Sequence, residues 1–409
     1  PHGAPGMNTP AHATAMSPNL VVLCLALLLG LQPVTTDLYL PALPDLSQEL
    51  GASMGQTQLT LSALLLAFGI SQLVWGPLSD RFGRRPILLV GMLAYVVASI
   101  GSALSPNIAT LVVWRILQGV AMGAGVVCAR AIVRDLYQPA QGATVMSKGL
   151  SGLGVIACLC APLGGLLTAI WSWHVALLAL AVFGAATLAV VVWRFEETAP
   201  QRNPRALQPL ALVCTWRAIV SNPVFVTFSL LSALSYGGLV TFLASSSFVF
   251  IRVLGLSPAQ YGLVMLGMSL AYLIGTFMCR YLIRHYGLQQ AVAVAAVFSI
   301  TGGSLMGVMA MLGIHSAWAI AIPQAIFNLG HGIHQPCGQS GAVGPFPQSA
   351  GTASALNGFF MMVTAFATGQ WLGVHMDGTA MPMALGMWFW GTLLALVAWT
   401  LVQRFGKPQ

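Results

Sequence analysis

Apolar runs of roughly 18 to 25 residues recur along the chain, each long enough to cross a bilayer core as a helix. Twelve can be counted, at 19–42, 58–78, 87–104, 108–133, 143–167, 174–194, 223–250, 259–279, 288–312, 317–341, 352–374 and 383–403. The runs are continuous and rich in Leu, Ala and Gly, without the alternation of barrel strands, so the spanning element is the helix. With 57% hydrophobic and 6% charged residues, a chain of 409 residues has too little polar surface for a water-soluble globule of its size. The expected fold is an all-α membrane protein of twelve transmembrane helices in two six-helix bundles.

The net charge of +8 does not call for a nucleic-acid partner, because the basic residues are sorted to one side. If successive spans run in opposite directions, Arg81, Arg84, Arg85, Arg134, Lys148, Arg194, Arg202, Arg205, Arg217, Arg280, Arg284, Arg404 and Lys407 share one face. Arg252 falls on the other, with Asp45, Glu49 and Asp377. The positive-inside rule makes the basic face cytoplasmic and predicts that both termini lie there. The seven cysteines lie in or beside spans and imply no disulfide framework.

Residues 1–17 are expected to form a disordered tail, followed by bundles at 18–194 and 223–404 and a short tail at 405–409. Segment 195–222, with Glu196, Glu197, Arg202, Arg205 and Arg217, reads as the linker. A shift of 204 residues lays Gly83 on Gly287, a faint internal repeat in which Asp80 falls opposite Arg284. Parallel repeats of this kind imply two bundles facing a central cavity.

Between the second and third spans stands Gly-Pro-Leu-Ser-Asp-Arg-Phe-Gly-Arg-Arg-Pro, residues 76–86. Gly76, Leu78, Asp80, Arg81, Gly83, Arg84 and Arg85 fit the pattern G-x-L-x-D-R-x-G-R-R, which resembles the cytoplasmic signature of the major facilitator superfamily. Asp80 and Arg84 are four residues apart, and Arg134-Asp135 ends the fourth span on the same face, so Asp80, Arg84 and Asp135 can cluster. The resemblance implies that this cluster latches the outward-facing state. Topological anchoring by the basic residues alone is the plainer reading, but it needs neither the glycines nor Asp80.

Asp37, in Thr-Thr-Asp-Leu-Tyr-Leu-Pro, is the one acidic residue deep in an expected span. An ionisable group there costs several kcal/mol and is a functional candidate by default. Arg115 is its expected partner, since each lies roughly 10 Å in from the external face at 1.5 Å per residue. Burial favours the neutral acid and a guanidinium favours the carboxylate, so entering water can tip the balance, as proton coupling requires. A permanent structural ion pair is the alternative. Arg115 also opens Arg-Ile-Leu-Gln-Gly, similar to the superfamily's R-x-x-Q-G pattern, which the resemblance links to proton transfer.

Span five carries Gly149, Gly152 and Gly154, then Ala161-Pro162-Leu163-Gly164-Gly165. Small residues and a proline suit close approach and a bend, and Gly154, Pro162 and Gly165 are the expected helix-bend positions. The segment resembles the exporter motif G-P-x-x-G-G, although Ala161 and Leu166 depart from it; generic packing glycines are the alternative. Together with Ala129-Arg130-Ala131-Ile132-Val133-Arg134-Asp135, these features resemble the bicyclomycin and chloramphenicol resistance branch of the twelve-span drug:proton antiporters.

His331, His334 and Cys337 lie at i, i+3, i+6 in the tenth span, roughly on one side of a helix that Pro336 should bend. Three readings stand: interhelical hydrogen bonds with Asn328 and Gln335, a cavity histidine for substrate or proton, or a thinly ligated metal site. The first leads, and no metal is expected. Candidate substrate contacts are Tyr39, Trp114, Gln118, Tyr236, Phe242, Asn328, His331 and Phe359, with Phe68, Met361 and Met362 beside them; ordinary helix packing is the alternative for each. No P-loop, zinc-protease or nucleophile-elbow pattern is present, so no enzyme activity or cofactor is expected. The expectation is a monomeric transporter that exports small apolar or amphipathic molecules against protons. A dedicated sugar or amino-acid exporter is the alternative, and a non-transporting membrane receptor a more distant one.

Overall fold

The computed structural model describes residues 16–407; most of the expected N-terminal tail, 1–15, and the last two residues lie outside the described residues. Twelve long helices follow one another within the described part: α1 Pro18–Asp37, α2 Met54–Phe82, α3 Arg84–Ala103, α4 Ile108–Leu136, α5 Pro139–Ile170, α6 Trp173–Arg194, α7 Pro223–Ser247, α8 Pro258–Tyr286, α9 Leu288–Met311, α10 Trp318–Val343, α11 Ala350–His375 and α12 Met381–Trp399. No strand occurs among the described residues. Eleven membrane-length helices are also apolar enough to span. Helix α10 has the length but not the composition, because Gln324, Asn328, His331, His334, Gln335 and Gln339 line its buried surface. It is shielded by protein rather than lipid, which relaxes the demand for apolar side chains.

Local chemistry sets the helix ends, and it repeats at the 204-residue offset. Ser53 and Gln56 form a capping box at the start of α2, and Ser257 and Gln260 form the same box on α8. Gly83 (φ 95°, ψ 167°) and Gly287 (φ 83°, ψ 172°) end those helices in a backbone region open almost only to glycine. Proline opens α1, α5, α7 and α8 where its missing N–H is harmless.

Helices α1–α6 bury one apolar cluster around Leu28, Met92, Met122 and Leu177. Helices α7–α12 bury another around Phe228, Phe327, Val292 and Met387. The two groups meet mainly through α2 with α11 and α5 with α8 and α10, with α4 also touching α11. Close approach there depends on small residues: a Cβ on Gly76 would fall 2.5 Å from Ala355 Cβ and 2.6 Å from the Gly351 carbonyl oxygen. The segment between the groups is more than an extended linker, since Pro209–Ser221 is helical with Leu210 and Val213 exposed. At the end opposite the 76–86 loop, Glu49 accepts a 2.5 Å bond from the Trp173 indole, which holds its exposed carboxyl below the ordinary range.

Candidate functional site

Two layers of polar residues stand out, the first of them where the bundles meet. The first is at the 76–86 loop. Arg84 donates from Nη1 to Asp80 Oδ1 at 2.8 Å, and from Nε and Nη2 to the two oxygens of Asp135 at 2.9 and 3.0 Å. The side chains are at most 3% exposed, so the bonds are little screened by solvent. Asp80 also reaches the other bundle, accepting from the Gly351 and Thr352 amides, both at 2.9 Å, and from Thr352 Oγ1 at 2.6 Å. A carboxylate thereby satisfies free N–H groups in the first turn of α11, where the helix dipole favours negative charge. The Asp80, Arg84, Asp135 cluster expected from spacing is present.

The linker completes this layer, a role its sequence did not reveal. Glu197 accepts from the amides of Arg84 and Arg85 at 2.9 and 3.1 Å and so caps α3, while Thr198 Oγ1 donates to Asp135 at 2.8 Å. Arg85 donates to the carbonyls of Phe195 and Val192. Arg134 crosses to the Gly344 carbonyl at 2.7 Å, outside the Asp80 cluster. Arg81 differs from expectation: among the described residues its contact is the neighbouring Phe82 ring, 5.1 Å away, and it joins no hydrogen bond of the layer.

Gly83 is required here twice over, by its backbone angles and because a Cβ would lie 2.3 Å from Glu197 Oε2. Gly287 shares the angles but has nothing among the described residues within 4 Å of its Cβ position. Gly83→Ala is therefore expected to destabilise the protein more than Gly287→Ala, whose backbone cost is about 1–3 kcal/mol. Thermal unfolding midpoints in detergent check this, and equal losses would remove the Glu197 contact from the explanation.

The second layer is deeper. Asp37 and Arg115, expected as a pair, form no ion pair among the described residues. Arg115 is fully buried inside the first bundle. It donates to the Thr35 carbonyl from both terminal nitrogens (3.2 and 3.1 Å), to the Thr60 carbonyl (3.3 Å) and to Gln118 Oε1 (3.1 Å), and lies 4.1 Å over the Tyr39 ring. Thr35 and Tyr39 lie two residues to either side of Asp37, so at about 100° per residue they point away from it. Shared depth was legible in sequence, but shared direction was not. Asp37, half-buried, takes a hydrogen bond from its neighbour Thr36 at 3.0 Å.

The other candidates divide by the face they occupy. Tyr236 lies between the bundles and accepts from Gln32 Nε2 at 2.6 Å. Tyr39 is fully buried in the first bundle, its hydroxyl bonded to Thr60, and Gln118 is held by Ser99 at 2.8 Å while it orients Arg115. Trp114 packs over Gly101 of α3, where a Cβ would lie 2.4 Å from its ring. Phe68 is buried, and Phe242 is buried edge-on to Phe250. Asn328 donates to the Met268 carbonyl at 3.1 Å, and Phe359 lies 5.8 Å from the Phe360 ring. Met361 and Met362 are buried, with Met362 Cβ 2.8 Å from a Cβ on Gly69.

His331, His334 and Cys337 do not share a side. His331 bonds Ser235 of α7 at 2.6 Å and lies beside Tyr272, His334 turns to Ser299 and the Val292 carbonyl of α9, and Cys337 faces Cys279 of α8 at 3.9 Å. Interhelical hydrogen bonding is what the structure supports, though the partners differ from those expected: Gln335 donates to the Ser232 carbonyl and Asn328 serves α8. No group of three metal-ligating side chains is found among the described residues. On α5, Gly149, Gly152 and Gly164 make the close approaches to α1 and the residue that follows it, with Cβ positions 2.9, 2.4 and 2.1 Å from Leu25, Ala26 and the Leu38 carbonyl. Gly165 does not: its nearest neighbour would be Pro41 at 3.9 Å. Gly154 faces Tyr272 and Leu273 of α8 at 3.4 Å, and Pro162 lies inside the helix.

A guanidinium not singled out from sequence also sits between the bundles. Arg130 of α4 bonds Gln72 of α2, Gln339 of α10 and the Ser354 carbonyl of α11. Sequence offered it only within the Ala129–Asp135 segment and as an arginine in a span with no acidic residue a turn away.

A family model described as Major Facilitator Superfamily matches residues 25–369. Multidrug resistance protein D of Escherichia coli (strain K12) is 30% identical over 385 residues, covering 93% of this chain and 94% of that protein. The chloramphenicol resistance protein of Pseudomonas aeruginosa is 30% identical over 328 residues, 78% of this chain and 75% of that one. The solved proton:xylose symporter XylE superposes with a TM-score of 0.78 at 13% identity over 95% of this chain and 96% of its own, a likeness of fold.

Proposed function

The chain belongs to the Major Facilitator Superfamily, and on that premise we propose that it is a drug:proton antiporter, exporting small apolar or amphipathic compounds by alternating access. It is a multi-pass membrane transporter rather than an enzyme. Asp37 carries the proposal: a half-buried carboxylate at the end of α1, bonded by Thr36 and not paired with Arg115. A carboxylate bound into a permanent ion pair would have little freedom to exchange its proton, whereas this one can bind and release it as the bundles move. Arg115 acts from behind, ordering the Thr35 and Thr60 carbonyls around the end of α1.

The basic end is taken as cytoplasmic, with both termini inside a bacterial inner membrane and the two bundles, 18–194 and 223–404, rocking as units in a monomer. Bonds that join the bundles there, from Asp80, Arg130, Arg134 and Arg280, support reading this conformation as closed toward the cytoplasm. Substrate enters when that end opens, with Asp37 ionised; protonation of Asp37 from outside then releases it, and the return step delivers the proton inside. Relatives named for multidrug and chloramphenicol resistance support a drug rather than a sugar or amino acid as cargo.

In sealed vesicles of purified protein, Asp37→Asn is expected to reduce pH-gradient-driven drug movement to the level of empty vesicles while the protein folds and inserts normally. Transport by the variant at the full rate would remove Asp37 from the coupling step.

A further inference from the structure

Arg130 differs from the other two fully or nearly buried arginines. Arg84 is neutralised by two carboxylates, and Arg115 is enclosed within one bundle. Arg130, 4% exposed, lies between the bundles with no carboxylate at ion-pair distance among the described residues. Its Nε donates to Gln339 Oε1 at 3.1 Å, and its Nη1 to Gln72 Oε1 at 3.2 Å and to the Ser354 carbonyl at 3.0 Å. Three neutral dipoles are a poor replacement for the water that a guanidinium gives up. The Gln72 amide nitrogen beside it is buried without any partner among the described residues. Gly358 leaves the room they occupy, since a Cβ there would fall 1.7 Å from Gln72 Oε1 and 2.6 Å from Arg130 Nη1.

Gln72 belongs to the same bundle as Arg130, whereas Gln339 and Ser354 belong to the other. When the basic end parts, Gln339 and Ser354 move away together, and the opened space is left facing a guanidinium and an amide with donors unfilled. A planar oxygen pair fits that fork. We propose that Arg130 with Gln72 is a subsite for a planar acceptor group of the substrate, a carboxylate or nitro group, and that Gln339 and the Ser354 carbonyl displace it as the basic end closes. The inference rests on the alternating-access reading. It adds direction, because the ligand's affinity falls as the cavity turns outward, and selectivity, because the same charge disfavours cations.

Three naphthalene probes, bearing a nitro group, a carboxylate or a quaternary ammonium, are titrated against detergent-purified protein, with quenching of tryptophan fluorescence as readout. Wild type is expected to bind the nitro and carboxylate probes more tightly than the ammonium probe. Arg130→Gln should weaken those two by about 10- to 100-fold, the size of a lost charge-assisted hydrogen bond, and spare the ammonium probe. Arg130→Lys should restore part of the loss, and Gln339→Leu, which removes the competitor, should tighten both. A wild type that prefers the ammonium probe or binds none of the three overturns the proposal, as does equal weakening of all probes in Arg130→Gln. Vesicle transport is read separately: selective binding lost in Arg130→Gln without proton-driven movement keeps the subsite and removes the export reading, whereas proton-driven movement of the ammonium probe alone does the reverse.

Discussion

Arg84→Ala is expected to destabilise the protein by about 3–5 kcal/mol, the cost of leaving buried charges without their partner. The substitution removes four hydrogen bonds, two of them to Asp135, one to Asp80 and one to Ser79. It leaves two carboxylates, 2% and 0% exposed, facing one another's charge in a space that water enters poorly. Because Asp80 also caps α11, the damage should reach the other bundle. A lower unfolding midpoint in detergent and a marked fall in transport are the expected readings. Arg84→Met combined with Asp80→Asn and Asp135→Asn should recover much of the midpoint, since no charge is then stranded and the amide oxygen that replaces the Asp80 carboxylate still accepts from α11. Equal midpoints for the single and triple variants would show that stranded charge is not the source of the loss.

Gly76→Leu should stop transport with a much smaller effect on unfolding. No side chain fits where a Cβ would lie 2.6 Å from the Gly351 carbonyl oxygen, and overpacking a rigid contact costs about 1–3 kcal/mol. This contact joins two bundles and not two helices of one core, so parting at the basic end relieves it. The population shifts toward the form open at that end. Ser340→Cys reports the opening, because Ser340 is 6% exposed and bonded across the bundles to the Pro139 carbonyl. Alkylation of that cysteine by a membrane-permeant maleimide should speed up in Gly76→Leu, with Cys214→Ser removing the exposed native thiol. Unchanged alkylation together with lost transport would point to damage within α2 instead.

The contrast between these two variants and the Asp37 substitution separates three properties of one transporter. Arg84 is proposed to hold the closed basic end together, Gly76 to let it close, and Asp37 to make closure depend on a proton. Glu197 links the first of these to the segment between the bundles, because it satisfies the amide ends of α3 that begin at Arg84.

Much of this architecture could be read in one dimension. Helix number, the all-α class, the 204-residue repeat and the Asp80, Arg84, Asp135 cluster are set by run length, by glycines at obligatory turns and by charges four residues apart at a helix end. These are local properties, so they survive without knowledge of packing. The polar residues within the spans were harder. A transmembrane helix surrounded by protein on one side and lipid on the other has apolar residues on both, which erases the amphipathic signal that tells which way a side chain points. Hence Asp37, Arg115 and Tyr39 were legible as a group by depth, but only the tertiary structure turned Arg115 and Tyr39 into the first bundle and left Asp37 apart from Arg115. The same reason hid Arg130, whose importance comes from Gln339 and Ser354, more than two hundred residues away in sequence. Sequence by itself determined what crosses the membrane and where it turns; tertiary structure decided which buried charges are neutralised and which face the other bundle, because that depends on partners brought in from the other half of the chain.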